Sequence, residues 1–189
     1  MSAVFSHHFG APAVVAKLEE LRAKGLEKLT VLGHGAWLKS DFSAEACPGM
    51  HSSSSIAPGS SKIHLREGHW VQVHEALSFE GTSFFYGTRW GQCLTSENLG
   101  QELSFPKVRV ASTDALFRET PSFLEFLRNQ GVQVLDMESS AILSWASWRK
   151  IPTRIFLHLS DCFKANIWTP HRWSLENQEM QKLIQRLGG

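Results

Sequence analysis

The sequence predicts a single α/β domain, and three observations carry that expectation. Helix-periodic and strand-like segments alternate through the second half, which argues for a sheet with helical crossovers. The 189 residues are 42% hydrophobic and 20% charged, an ordinary balance for a chain that buries one core. No internal repeat divides the chain, and its one serine-rich stretch is too short to separate two domains. Residues 1–189 are therefore read as one three-layer domain, with a central mixed, largely parallel sheet flanked by helices.

The elements follow in order. Pro12 suits the first turn of a helix over about Ala13 to Lys24, with Val14, Leu18 and Leu21 at helical spacing and Gly25 as the stop. Leu29 to Leu32 reads as a short strand that ends at Gly33-His34-Gly35. Residues 47–61, CPGMHSSSSIAPGSS, have no apolar period and read as a mobile loop. Strand character returns from Trp70 to Phe79. Lys107 to Ala111 is the next strand and leads into Ser112-Thr113-Asp114. A helix over Pro121 to Gln130 has Thr120 as N-cap and Gly131 as stop. Gln133 to Leu135 runs into Asp136-Met137-Glu138, and a helix over Ser139 to Arg149 follows. Arg154 to Leu159 is a strand ending in Ser160-Asp161. A last helix covers Leu175 to Leu187, with Ser174 as N-cap.

Composition narrows the function. Nineteen basic against eighteen acidic residues give a charge of +1, so no strong field draws in nucleic acid or an anionic membrane. No apolar run reaches the roughly 18–20 residues of a membrane helix. The N-terminus, MSAVFSHHFGAP, does not read as a signal peptide. Cys47, Cys93 and Cys162 are far apart and form no CxxC pair, so a disulfide framework is not expected and a cytoplasmic location is. His64, His69 and His74 alternate faces on a strand, and no HExxH is present. No metal or organic cofactor is expected. Trp145 and Trp148, three apart on a helix, read as packing residues.

Three predicted strands thus end in acids: Asp114, Asp136 with Glu138, and Asp161. In open α/β sheets ligands bind beyond the carboxyl ends of the strands. A carboxylate there also stabilises the start of the next helix, so each acid has a capping alternative.

Four passages give these acids a context. Glu80-Gly81-Thr82-Ser83 with Tyr86, Ser112-Thr113-Asp114-Ala115-Leu116-Phe117, Val134 to Ala141 with its Asp136-Met137-Glu138 core, and Leu157-His158-Leu159-Ser160-Asp161 follow one another in order. Together they resemble the nucleoside phosphorylase superfamily, which includes purine nucleoside phosphorylases, uridine phosphorylases and adenosylhomocysteine-type nucleosidases. The resemblance implies cleavage of the N-glycosidic bond of a purine-type nucleoside, by phosphorolysis or hydrolysis. It implies Asp161 as general acid toward purine N7, Glu138 as acceptor from the ribose hydroxyls, and Met137 against the sugar. Ser160 would orient Asp161, and Ser112, Asp114, Leu116 and Phe117 would line the substrate. Inorganic phosphate is the implied co-substrate, a small nucleoside the partner, and a homo-oligomer the assembly.

The sequence departs from the family in three places. It starts later than most members, so the usual first strands are expected to be missing. The stretch matching the phosphate loop, Thr30-Val31-Leu32-Gly33-His34-Gly35-Ala36, has Thr30 for the family's arginine and Gly33 for its hydroxyl. Threonine cannot supply an arginine's bidentate charge-assisted bonds, although the amides around Gly33 and Gly35 still suit an anion. Arg66, Arg89 or Arg118 would have to fold inward to compensate. Leu116 replaces a phenylalanine that stacks on the base. These departures leave an alternative: a catalytically impaired nucleoside- or base-binding homologue, or an assembly subunit.

Overall fold

The computed structural model describes residues 1–6, 10–39, 65–97, 99, 103–115, 119–170 and 176–188. The serine-rich stretch 47–61, Leu116, Phe117, Arg118 and Ser174 lie outside the described residues. In chain order the elements are β1 (Ser2–Ser6), α1 (Ala11–Ala23), β2 (Lys28–Leu38), β3 (Trp70–Phe79), a 3-10 turn (Thr82–Tyr86), β4 (Cys93–Thr95) and β5 (Lys107–Thr113). There follow α2 (Pro121–Asn129), β6 (Val134–Asp136), α3 (Ser139–Arg149), β7 (Thr153–Lys164), β8 (Ile167–Pro170) and α4 (Glu176–Gly188).

The helices start and stop for the reasons their sequences suggest. In α1, Pro12 occupies the first turn, and Gly25 leaves the helix at φ +87°. In α2, Thr120 caps by accepting from the Phe123 N–H at 3.4 Å, and Gly131 takes φ +74°. α3 is different: every residue from Ser139 to Ala146 is buried, so its first two turns have no solvated face. Trp145 is fully buried, and its indole N–H donates to Glu19 of α1 at 2.8 Å. Arg149 binds the same Glu19 oxygen at 2.7 Å, which clamps α3 to α1. Trp148 is exposed instead, with the Arg149 guanidinium 4.0 Å from its ring centre.

The strands form one mixed eight-stranded sheet in the order β1-β2-β6-β5-β3-β7-β8, with β4 on the side of β3. β1–β2, β2–β7, β3–β5 and β5–β6 are parallel, whereas β2–β6, β3–β4, β3–β7 and β7–β8 are antiparallel. Because β7 pairs with both β3 and β2, the sheet curls round on itself. One core cluster packs α1 and α3 against Val31, Val73, Val110 and Ile155. A second sets Leu124 and Leu127 of α2 against Ala111, Leu135 and Phe163. A third sets Met180 and Leu183 of α4 against Leu32 and Phe156.

Three strands run further than the sequence suggests, β5 by two residues to Thr113 and β2 and β7 by more. β2 does not end at Leu32; it continues through Gly33, His34 and Gly35 to Leu38, matched to β7 throughout with one bulge beside Gly35. Gly35 permits this by closeness. A Cβ on Gly35 would lie 2.6 Å from Val134 Cγ1 and 3.2 Å from the Leu135 carbonyl oxygen. β7 likewise does not end at Ser160-Asp161. It runs to Lys164 and returns as β8 through Ala165 and Asn166, both at positive φ. That is the backbone a two-residue hairpin requires.

The Gly35 contact gives a first expected outcome. Gly35→Ala forces a methyl into backbone and Val134, a strain of about 1–3 kcal/mol. Thermal melting should fall by roughly 2–4 °C for each kcal/mol in a chain of this size. An unchanged Tm would show that β2 and β6 are less closely packed than described.

Candidate functional site

β3, β5 and β6 are parallel, so their carboxyl ends meet at one edge of the sheet. The register places Ser78, Ser112 and Asp136 side by side there. All three are buried, and buried polar groups must find partners within the protein. Ser112 Oγ donates to Asp136 Oδ1 at 2.6 Å. The second Asp136 oxygen accepts from the Ser139 N–H at 3.0 Å and from the Ser139 hydroxyl. Asp136 thus caps α3 and stays within the scaffold. Ser112 is equally committed, because its Oγ also accepts from the Ser140 N–H at 2.9 Å. Its hydroxyl is taken up inside the protein, where the sequence suggested a substrate contact.

The turn after β3 is tied to the same helix start. Glu80, 2% exposed, accepts from the Ser140 hydroxyl at 2.8 Å, from the Thr82 N–H at 2.6 Å, and from the N–H and hydroxyl of Ser83. Asp114 is exposed at the end of β5, and its Oδ2 accepts from the Gly81 N–H at 2.9 Å. Thr113 donates to Glu119 at 2.7 Å, and burial raises the Glu119 carboxyl above its ordinary pKa.

Glu138 begins α3 without capping it by side chain. Its carboxyl, 8% exposed, turns back to accept from the Met137 N–H at 3.2 Å. Burial first, and the neighbouring Asp136 charge second, push the Glu138 carboxyl up to about 8. Burial also raises Asp136, to about 6, against the bonds from Ser112 and Ser139 that favour its charged form. Met137 stands half-buried between the two.

β2 faces this pair. On one edge β2 is matched to β7; on the other it pairs with β1 up to Leu32 and with β6 from Ala36. Gly33 to Gly35 therefore lie where the carboxyl ends of β1 and β6 converge. A change of strand neighbour of this kind makes the crevice in which α/β sheets bind ligands. Thr30 lies outside the crevice, buried between β1 and β7, where it accepts from Arg154 Nε at 3.0 Å. Arg154 is the guanidinium that meets Thr30. Arg66 instead donates to His69 at 2.6 Å, and Arg89 is exposed.

Asp161 sits apart from the cluster. Leu135, Ala36 and Asp161 form a row across β6, β2 and β7, so about 10 Å separate the outer backbones at ordinary strand spacing. Residues in one row share a face. Asp161 therefore lies on the face of Leu135 and Ala36, which α2 covers, whereas Asp136 turns toward α3. Asp161 is half-buried and Ser160 buried. The structure thus gathers Glu80, Ser112, Asp114, Asp136, Met137 and Glu138 with Gly33 to Gly35, and sets Asp161 across β2. Sequence reasoning missed the link from Glu80 to Ser140; its signal was an acid followed by three hydroxyl or glycine residues after a strand. Among the described residues no group of His, Cys, Asp or Glu is arranged to hold a metal ion.

Buried carboxyls beside converging strand ends are the arrangement that α/β sheets use for small-molecule sites. Residues 61–187 match the family model of the Phosphorylase superfamily, and the chain belongs to that superfamily. It is similar to uridine phosphorylase of Vibrio fischeri, at 16% identity and a TM-score of 0.59, covering 93% of this chain and 63% of that one. It is similar to purine nucleoside phosphorylase of Toxoplasma gondii, at 19% identity and a TM-score of 0.59, covering 82% and 58%. It is similar to AMP nucleosidase of Bacteroides thetaiotaomicron, at 15% identity and a TM-score of 0.57, covering 94% and 70%. The chain thus spans less than two thirds of the two phosphorylases, and at these identities the likeness is one of fold. No curated protein sequence matches the chain.

The raised carboxyls predict how stability responds to pH. Glu138 and Asp136 hold their protons more tightly folded than unfolded. Their contribution is fully present below the ordinary carboxyl range and is lost as pH rises through about 6 and then about 8. The Tm should fall across that window, and Glu138→Gln should flatten its upper part. A native slope in Glu138→Gln between pH 6 and 9 would show that Glu138 does not carry the proton.

Proposed function

We propose that the chain cleaves the N-glycosidic bond of a purine-type nucleoside, with phosphate or water as the acceptor. The observation that carries the reading is Glu138, a buried carboxyl beside Met137 at the crevice of a phosphorylase-superfamily chain. Cleavage of such a bond develops positive charge on the sugar. Ribose hydroxyls donating to Glu138 favour its charged form, and the charge so formed lies where the sugar becomes positive. Met137 packs against the sugar. The family resemblance implies Asp161 as general acid toward the leaving base; Asp161 stands across β2 on the face that α2 covers, so this role requires the base to extend past the edge of β2. The acceptor takes its place by the backbone of Gly33 to Gly35, where strand ends converge. The similar structures include phosphorylases and a nucleosidase, and both acceptors stay within the proposal. A cytoplasmic location and self-association belong to the same reading.

One observation favours a second reading, a nucleoside- or base-binding homologue or assembly subunit without turnover. The stretch 30–36 has no arginine, and Thr30 is engaged by Arg154 inside the ladder. A charge-assisted grip on phosphate is missing from that stretch.

The test is release of free base from a panel of purine nucleosides, with and without phosphate. Release should fall by about 100-fold or more in Glu138→Gln and in Asp161→Asn. In the native protein kcat/KM should climb between pH 6 and 8 as Glu138 loses its proton. Calorimetry with the same nucleosides separates the readings: binding without release supports the second, and neither binding nor release overturns both.

A further inference from the structure

We propose that Glu80 is a positioning residue for the glycosidic reaction, acting on the Asp136–Glu138 segment through Ser140 and Ser112. The kinetic part of this inference rests on the function proposed above.

The chain of contacts is continuous. Ser140 Oγ donates to Glu80 Oε1 at 2.8 Å, and the Ser140 N–H donates to Ser112 Oγ at 2.9 Å. Ser112 Oγ in turn donates to Asp136 Oδ1 at 2.6 Å. One serine of α3 therefore faces a carboxyl through its hydroxyl, and faces the hydroxyl that binds a second carboxyl through its amide. Glu80 is anchored from behind by the Thr82 and Ser83 amides, so it cannot shift without unwinding its own turn. All the members are buried, so none can exchange its protein partner for water. The first turn of α3 is held from the β3 side by Glu80 and from the β5–β6 side by Ser112 and Asp136. Glu138 is the residue that immediately precedes that turn.

A carboxyl that must face a sugar within tenths of an ångström needs a rigid base, and a displacement near 1 Å costs on the order of 100-fold in rate. Glu80 supplies that rigidity from an element that itself carries none of the proposed reacting groups. Its loss should lower kcat and leave KM little changed, since Glu80 does not touch the substrate.

Three variants test this: Glu80→Gln, Ser140→Ala and their combination. Gln keeps one acceptor oxygen but turns an NH2 toward amides that need an acceptor. Expected are a drop in kcat of about 10–100-fold in each single variant and little further loss in the double, because both break the same relay. Hydrogen exchange at amides 139–142 should accelerate in each, with α2 unchanged. Should Glu80→Gln fail to fold, Ser140→Ala, which deletes only the linking hydroxyl, carries the test. Native kcat and native exchange at 139–142 in Ser140→Ala overturn the inference, as do losses that simply multiply in the double variant. If the native protein releases no base, the proposed function fails on its own; exchange at 139–142 then decides whether Glu80 holds the segment.

Discussion

A helix that begins in the protein interior must find partners for its first amides and hydroxyls without help from water. α3 meets this constraint with Asp136, Ser112 and Glu80, and the rest of the site depends on how it does so. Net hydrogen bonds to charged groups contribute about 1.5–3 kcal/mol each, and a buried donor left unmade costs a similar amount. The turns after β3, β5 and β6 are therefore locked to one helix start.

The same lock decides where the proton sits. Asp136 accepts from two hydroxyls and from the Ser139 amide, all of which favour its charge. Glu138 has the Met137 amide and the repulsion of Asp136. Two buried carboxyls so close do not both ionise easily, and the one with fewer donors keeps its proton to higher pH. In the proposed reaction this arrangement is useful. A carboxyl that is protonated when the crevice is empty avoids a buried bare charge, and it becomes charged when hydroxyl donors arrive. Binding and ionisation are then linked, with the sugar supplying the donors that the scaffold withholds.

Much of this was legible in the sequence, and the failures share a cause. β3 and α3 have the bounds their patterns suggest, because a run such as Trp70 to Phe79 is apolar enough, and Ser139 to Arg149 helical enough, to be read locally. Gly33 and Gly35 look like a loop in sequence, which hides the length of β2. The role of Gly35, close passage beside Val134, depends on a strand a hundred residues away. β7 was cut short because Asp161 and Lys164 interrupt its apolar character, although Cys162 and Phe163 between them are buried. The capping alternative for Asp136 proved to be its contact in the structure, and Ser112 turned out to face its neighbours. Glu80 stood in a recognised motif, but a carboxyl's partner sixty residues on leaves no trace in local spacing.

The two ends of the crevice are built on different physical terms. At the Glu138 end, interlocked carboxyls and serines set the position of each group, and one lost hydroxyl disturbs several others. At the acceptor end the strand itself is the feature: β2 changes partner from β1 to β6 around Gly33 to Gly35, and no arginine in that stretch adds charge. Backbone amides grip an anion less strongly than a guanidinium fork does. Arg154 is turned to Thr30 and held within the ladder, three residues before Gly33 in register. In the proposed reaction, discrimination between phosphate and water therefore falls on amide geometry and on whatever charge the substrate brings. In that same proposed reaction, recognition of the sugar falls on side chains fixed by the fold.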